Sequence, residues 1–305
     1  MPTFQQFKYK ECLPKRSLSA LPSYLLVKPT AYDEVLLLRL LTGTVDFQNT
    51  ISGIKFTQRI NYSKFDFVTN RLVSAKSVTD IFKEESIKLT SAEQYYKNCV
   101  RFGNRNLFKN LLLELTNYFY QKEIKSDALA FLHLYRSIEL VSYCFPLYFA
   151  SKATSYEKTY SSLKDFFTKV DGELNFFKKF VHEHLFNNDP TILDTHLKIS
   201  VNGPNSSLQE QYFKALKKLC DDNKNIDFIS SSPFTEIVVT RKGLNSLSYD
   251  LRNRYFHLLT GDFNHNFSSG EISEVNYFYR NVNDIILNWL AQIYFKILLT
   301  KIDET

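Results

Sequence analysis

The sequence predicts a mainly α protein, with a small N-terminal α+β region over residues 1–100 and a helical domain over residues 101–305. Three observations carry this. Glycine and proline number only 8 each in 305 residues, so residues that interrupt helices are scarce. Pro2, Pro14, Pro22 and Pro29 all stand in the first 30 residues, which leaves the rest of the chain nearly free of proline. From Asn104 onward, apolar residues recur at spacings of three and four, the period of a helix with one wide buried face.

Composition narrows the class further. Hydrophobic residues make up 44% of the chain and charged residues 23%, a balance that buries a core and excludes a disordered chain. The net charge is 38 − 32 = +6, which suits a polyanionic partner without requiring one, since a lysine-rich surface gives the same sum. Cys12, Cys99, Cys144 and Cys220 are scattered, with no C-x-x-C pair, and read as reduced thiols rather than a zinc site or a disulfide framework. The N-terminus lacks the apolar core of a signal peptide and no run of about 18 uninterrupted apolar residues occurs, so a cytoplasmic protein without a membrane span is expected.

Taken in order, the proline-rich first 30 residues should be extended, with Leu21 to Val27 able to pack on the body. Asp33 to Leu41 is a short helix or a buried strand, which periodicity alone leaves open. Gly43 and Gly53 punctuate a stretch in which Ile54–Ile60 and Lys64–Thr69 alternate like strands. Leu107, Leu111, Leu115 and Tyr118 mark one long helix. Ser126-Asp127 opens a second, which runs to about Ala150 with a kink or early end expected at Pro146. Further helices are expected over 156–170 and 172–186, the latter closed by Asn187-Asn-Asp-Pro190. Residues 192–201 are ambiguous. Ser207 suits the cap of a helix ending near Cys220, Glu236–Thr240 is a strand and Arg241–Gly243 a turn. A helix from about Asn245 to Leu259, a polar loop over 261–270 and a long amphipathic helix from Ile272 to about Lys301 complete the chain.

The chemistry concentrates in Arg252-Asn253-x-x-x-His257 on the helix from Asn245. Histidine moves a proton near neutral pH, and the arginine fork carries a permanent charge that matches phosphate oxygens. At 100° per residue Asn253 and His257 share a face, while Arg252 stands about 140° from His257 and must reach round. An Arg-x4-His motif on a helix inside a long helical region resembles the HEPN family (higher eukaryotes and prokaryotes nucleotide-binding). The resemblance covers at most the C-terminal two thirds of the chain. It implies a HEPN-like helical bundle and a metal-independent endoribonuclease, without cofactor, that works as a homodimer on RNA, with the motifs of two copies meeting at a shared cleft. His257 would then move the proton, Arg252 would stabilise charge on the phosphorane-like transition state, Asn253 would orient the histidine or the phosphate, and the product would end in a 2′,3′-cyclic phosphate. Such nucleases usually serve bacterial defence against phage or toxin–antitoxin control, which adds a regulatory or antitoxin protein as a partner. HEPN toxins paired with a nucleotidyltransferase carry a tyrosine two residues after the histidine. This chain has Leu259 there, which sets it apart from that subgroup. The alternative readings are a non-catalytic HEPN-like scaffold that binds a nucleotide, RNA or a partner protein, and an unrelated helical interaction protein; in either, His257 is a half-buried helix residue and Arg252 makes a surface ion pair.

Supporting residues lie on the second long helix, where Leu129, Leu132, Arg136, Glu139 and Tyr143 fall at helical spacing and a charged pair interrupts an apolar stripe. Arg136 and Glu139 either satisfy each other or sit at the surface. The resemblance adds a third option, since the HEPN fold places an acidic or polar side chain of a neighbouring helix beside its Arg-His pair. His182-Glu-His184 is poor metal-binding material, because two positions on a helix are 200° apart and the imidazoles diverge. His133 suits a boundary position and His265 a polar loop. Lys178, Lys179, Lys214, Lys217, Lys218, Arg241, Lys242 and Arg254 are spread basic positions that fit a nucleic-acid backbone and a solvated surface equally well.

Overall fold

The computed structural model describes residues 5–69, 73–99, 105–150, 164, 173–256, 266–268 and 270–303. The protein is mainly α: among the described residues it has eleven α-helices and eight short strands. The chain forms two compact units, one of residues 1–124 with 290–305, the other of residues 125–289. The strand-rich stretch does end before residue 100. The first unit nevertheless extends further, because the helix Arg105–Glu123 packs within it.

In the first unit, β1 (Phe7–Glu11), α1 (Lys15–Leu18), α2 (Asp33–Leu41), β2 (Val45–Asn49) and β3 (Lys55–Gln58) come first. β4 (Ile60–Asn61), β5 (Val68–Thr69), α3 (Lys76–Glu84), α4 (Leu89–Cys99) and α5 (Arg105–Glu123) follow. The open choice for Asp33–Leu41 resolves as helix. Asp33 and Glu34 lie at its positive end, and every residue from Glu34 to Leu41 is buried. Gly43 ends that helix at φ +68, and a Cβ there would stand 2.6 Å from the Arg59 carbonyl carbon, so only glycine fits the turn into β2. β1, β2 and β3 form an antiparallel sheet in that order, with Phe47 between Tyr9 and Phe56 and Gln48 between Lys8 and Lys55. The first 30 residues, expected to be extended, instead carry α1 and a single helical turn at Ser23–Leu25 between their prolines, and Leu21 and Leu25 are buried.

A buried charge cluster ties this unit together. Arg39 is fully buried and all five of its donors are used. Nε donates to Thr44 Oγ1 (2.8 Å), Nη1 to the Leu25 carbonyl (2.9 Å) and Glu11 Oε2 (3.1 Å), and Nη2 to the Thr44 carbonyl (2.7 Å) and Glu11 Oε1 (2.5 Å). Glu11 also accepts from the backbone N–H groups of Cys12, Leu13 and Val27.

The second unit begins with α6 (Asp127–Ala150), whose start is held by Arg280, with Nε and Nη2 both donating to the buried Asp127 Oδ2. The kink or early end expected at Pro146 does not stop the helix, which continues to Ala150. An interior proline costs about 3 kcal/mol, and the burial of apolar side chains such as Val141 and Phe145 beside it offsets that cost. α7 (Glu173–Lys179) runs on into a π-helical turn, Phe180–Leu185. Asn187 and Asn188 then take positive φ at the expected turn. α8 (Pro190–Leu193) and β6 (His196–Ser200) resolve the ambiguous 192–201 stretch. α9 (Ser206–Asp222) is capped by Asn205, whose Oδ1 accepts from the Leu208 N–H at 2.9 Å. The expected cap, Ser207, is already inside the helix, because the asparagine two residues earlier reaches the same orphan donors.

β7 (Phe228–Ser232) and β8 (Glu236–Thr240) complete an antiparallel sheet of order β6-β8-β7. A tight turn, Arg241–Gly243, leads into α10 (Leu244–Phe256), the helix that carries the Arg252 motif. At Gly243 a Cβ would fall 1.6 Å from the Ile226 carbonyl oxygen, so the start of α10 is seated directly on that backbone. The last helix, α11 (Val275–Asp303), belongs to the second unit up to Trp289 and to the first from Leu290. Residues Val275–Thr300 are long and apolar enough to cross a membrane by length and composition, but 83% of their most apolar window is buried inside the protein, as in a core helix.

Candidate active site around Arg252

Helix α10 buries Leu244, Leu247, Ser248, Leu251 and Arg254, which lie along one face at helical spacing. That face fixes the rotation of the helix. Asp250 and Arg254 fall toward one flank and Arg252 falls toward the other, about 100° from Leu251.

On the first flank α10 meets α9. Arg254 Nη1 donates to Asp222 Oδ2 at 2.9 Å, and Asn223 Nδ2 donates to Asp250 Oδ2 at 2.7 Å. Burial pushes the Asp250 carboxyl above the ordinary range, against the hydrogen bond from Asn223 and the charge of Arg254. Close by, burial pushes the Cys220 thiol up to about 12, which removes it as a nucleophile at neutral pH. Asp222, Asn223 and Asp250 were not singled out by the sequence, where they look like ordinary solvated polar residues. Here they hold the motif helix.

On the other flank α10 meets α6. Phe256 stacks on Phe131 with centroids 6.3 Å apart and planes within 8°, and Tyr279 donates to the Leu251 carbonyl at 3.0 Å. This brings Arg252 over α6. Its guanidinium carbon lies 5.1 Å from the centre of the Tyr135 ring, Nη2 lies 3.7 Å from Glu139 Oε1, and Nη1 donates to Asn253 Oδ1 at 2.9 Å. Tyr135 and Glu139 are four apart on α6 and therefore meet the same side chain. About a quarter of the Arg252 side chain (26%) and 42% of the Glu139 side chain remain exposed, so the pair is open to solvent on one side. At 3.7 Å the carboxylate neutralises the arginine without a short hydrogen bond, and an incoming phosphate oxygen could compete for the fork.

Three of the sequence-selected residues, Arg252, Asn253 and Glu139, thus stand together. Arg136 is exposed on α6, and the ion pair of Glu139 is with Arg252. The apolar stripe expected through Leu129 and Arg136 is the outward side of α6: Leu129 is 40% exposed, while Phe131, Leu134, Tyr135, Ile138 and Val141 form the buried side. His257, the expected proton-transfer group, lies outside the described residues, as do Leu259, His265 and, apart from the helical Lys164, the helix expected over 156–170.

The remaining candidates have structural surroundings. His182 is half-buried in the π-helical turn with its Nε2 enclosed and unpartnered, and burial, helped by the charges of Lys178 and Lys242, lowers its pKa to about 4. It is a neutral imidazole at pH 7. Among the described residues no group of three His, Cys, Asp or Glu side chains is arranged to hold a metal ion. Lys242 is engaged by Asp194 (2.9 Å) and Asp227 (3.1 Å), and Lys217 by Asp221 (2.7 Å). Compared with protein-family models, curated proteins and solved structures, the chain matches none.

Proposed function

We propose that the chain is a metal-independent endoribonuclease of HEPN type, cytoplasmic and active as a homodimer, in antiphage defence or a toxin–antitoxin pair. The observation that supports this is the setting of Arg252. It is a permanent cation on the motif helix, oriented by Tyr135, Asn253 and Glu139, and still partly open to solvent. A cation that must take a phosphate has to be reachable, and Arg252 meets that requirement. In the reaction, a ribose 2′-OH attacks the adjacent phosphorus and the 5′-oxygen of the next nucleotide leaves. His257 moves the proton, and Arg252 stabilises the charge that develops on the non-bridging oxygens. The products are a 2′,3′-cyclic phosphate end and a 5′-hydroxyl end.

The Arg252–Glu139 pair also favours a second reading. The arginine would be a clasp between α10 and α6 in a non-catalytic helical scaffold that binds a nucleotide, RNA or a partner protein. One experiment separates the two. Purified protein is incubated with RNA in EDTA and the product ends are typed, for the wild type, Arg252→Ala and His257→Ala. Cleavage that survives EDTA, yields cyclic phosphate and disappears in both variants supports the nuclease. Cleavage that persists in His257→Ala refutes the proposed chemistry, and a wild type that binds RNA without cutting it supports the scaffold.

A further inference from the structure

The sheet of the first unit alternates without exception. Phe7, Phe47, Phe56 and Gln58 turn inward and are buried, while Lys8, Lys10, Lys55 and Thr57 turn outward and are exposed. The register Lys8↔Gln48↔Lys55 and Lys10↔Asp46↔Thr57 puts these outward residues in two adjacent rows on one face. Arg59, the first residue after β3, joins them through Asp46, with Nη2 donating to Oδ1 at 2.6 Å. Four cations therefore face one carboxylate, and that carboxylate is taken by Arg59. Lys10 donates to Gln48 at 3.0 Å, and among the described residues none of the three lysines has a carboxylate at ion-pair distance. Lys8 and Lys10 are about 7 Å apart along the strand, and Lys55 lies about 10 Å across two strands, the scale on which phosphates recur along an extended polynucleotide. Charge on a face usually arrives in both signs, so an uncompensated cluster on regular backbone calls for an anionic partner.

At the β3 edge of the sheet, against α5, lies a cleft of about 290 Å³ lined by the buried rings of Phe56 and Tyr62, by Phe119, and by Thr57, Arg59, Lys122 and Glu123. Thr57 and Arg59 belong to both the basic face and the cleft. An unpaired base leaving a backbone that runs over the sheet would enter here, whereas a duplex keeps its bases stacked inside.

We infer that the outward face of the β1–β2–β3 sheet is a docking surface for single-stranded RNA, with Lys8, Lys10 and Lys55 on its phosphates and one base in the adjoining cleft. This surface does not depend on Arg252 being catalytic, and the two are tested apart. Binding of a fluorescent 12-nucleotide single-stranded RNA is followed by anisotropy with the full-length Arg252→Ala protein, so that cleavage plays no part. Adding Lys8→Ala, Lys10→Ala and Lys55→Ala should weaken binding at least tenfold and lower the slope of log K against log salt by about 2, three phosphate contacts at ~0.7 each. A control triple, Lys198→Ala, Lys214→Ala and Lys217→Ala, removes the same charge elsewhere and should change affinity less than twofold. Lys8, Lys10 and Lys55 are exposed, and circular dichroism checks that every variant, including the control with the half-buried Lys217, keeps the same fold. Equal weakening in both triples would reduce the effect to net charge and overturn the inference, as would duplex RNA of the same length binding as tightly as the single strand.

Discussion

Glu139 Oε1 stands 3.7 Å from Arg252 Nη2, across the junction of α6 and α10, and both side chains remain partly exposed. A solvent-open ion pair of this length contributes little to stability, typically about 0–1 kcal/mol, and the stacking of Arg252 on Tyr135 adds a similar amount. Arg252→Ala should therefore cost no more than about 2 kcal/mol in urea unfolding while abolishing RNA cleavage. A loss above about 4 kcal/mol would identify the arginine as a structural clasp and favour the scaffold.

Glu139→Gln separates orientation from charge. Glutamine keeps the shape beside Arg252 but gives up the attraction, so the guanidinium is less well aimed. We expect a roughly tenfold loss in kcat with KM changed less than threefold, the pattern of an interaction that matters more in the transition state than in binding. A KM effect alone would make Glu139 a competitor of the substrate phosphate rather than a positioning residue.

His182 gives the fold an acid-sensitive element. Its folded pKa, about 4, lies below the unfolded value near 6.5. Between these values the unfolded chain binds a proton that the folded one refuses. Stability is then complete above pH 6.5 and is lost as pH falls toward 4, by up to about 3 kcal/mol. His182→Gln cannot titrate, so the stability difference between wild type and variant should vary with pH across this window and be flat above it. A difference that is constant from pH 4 to 7 would show that the imidazole is not desolvated in solution.

Gly243→Ala tests how the motif helix is seated. The added methyl meets the Ile226 carbonyl at 1.6 Å, and that oxygen belongs to backbone that cannot rotate away. α10 must lift, and a cost of about 2–4 kcal/mol is expected. If Arg252 must meet Tyr135 and Glu139 to act, cleavage falls with it even at temperatures where the variant is fully folded. Wild-type stability in this variant would mean that the contact is relieved by a small backbone shift.

The sequence spoke most clearly where a local rule decided the outcome. The strand Glu236–Thr240, the tight turn at Gly243 and the helix carrying Arg252 follow from β-branched residues, a glycine and helical spacing within a few positions. α6 was legible as a helix but not in its rotation. It is apolar nearly all round, so Leu129 and Leu132 looked as fit for burial as Phe131 and Leu134, and only the neighbouring helices chose between them. β1 and β2 lie in stretches without a strong strand pattern and exist because each supplies the other's hydrogen bonds. At the site, the meeting of Arg252 with Glu139 joins residues 113 positions apart, which spacing cannot reveal; the Asp222–Arg254 contact is hidden in the same way.

Arg39 was hidden inside a run of leucines, where a charge looks like the polar edge of a helix, yet it is fully buried with all five donors used. Removing one partner of a buried pair leaves the other uncompensated, so Arg39→Ala should cost about 3–5 kcal/mol and also strand the Leu25 and Thr44 carbonyls. Burial opposes the charge on Glu11, but its hydrogen bonds with Arg39 and with the Leu13 and Val27 N–H groups outweigh that and hold its pKa below the ordinary value. A carboxyl with a depressed folded pKa stabilises above its unfolded pKa, near 4.3, and loses that contribution as pH falls through the folded value. The cost of Arg39→Ala should accordingly be full at pH 7 and shrink below about pH 4. Urea titrations of wild type and variant at pH 7 and pH 3.5 measure both ends, and an equal cost at the two would mean that Arg39 acts by filling space and bonding carbonyls rather than by pairing with Glu11.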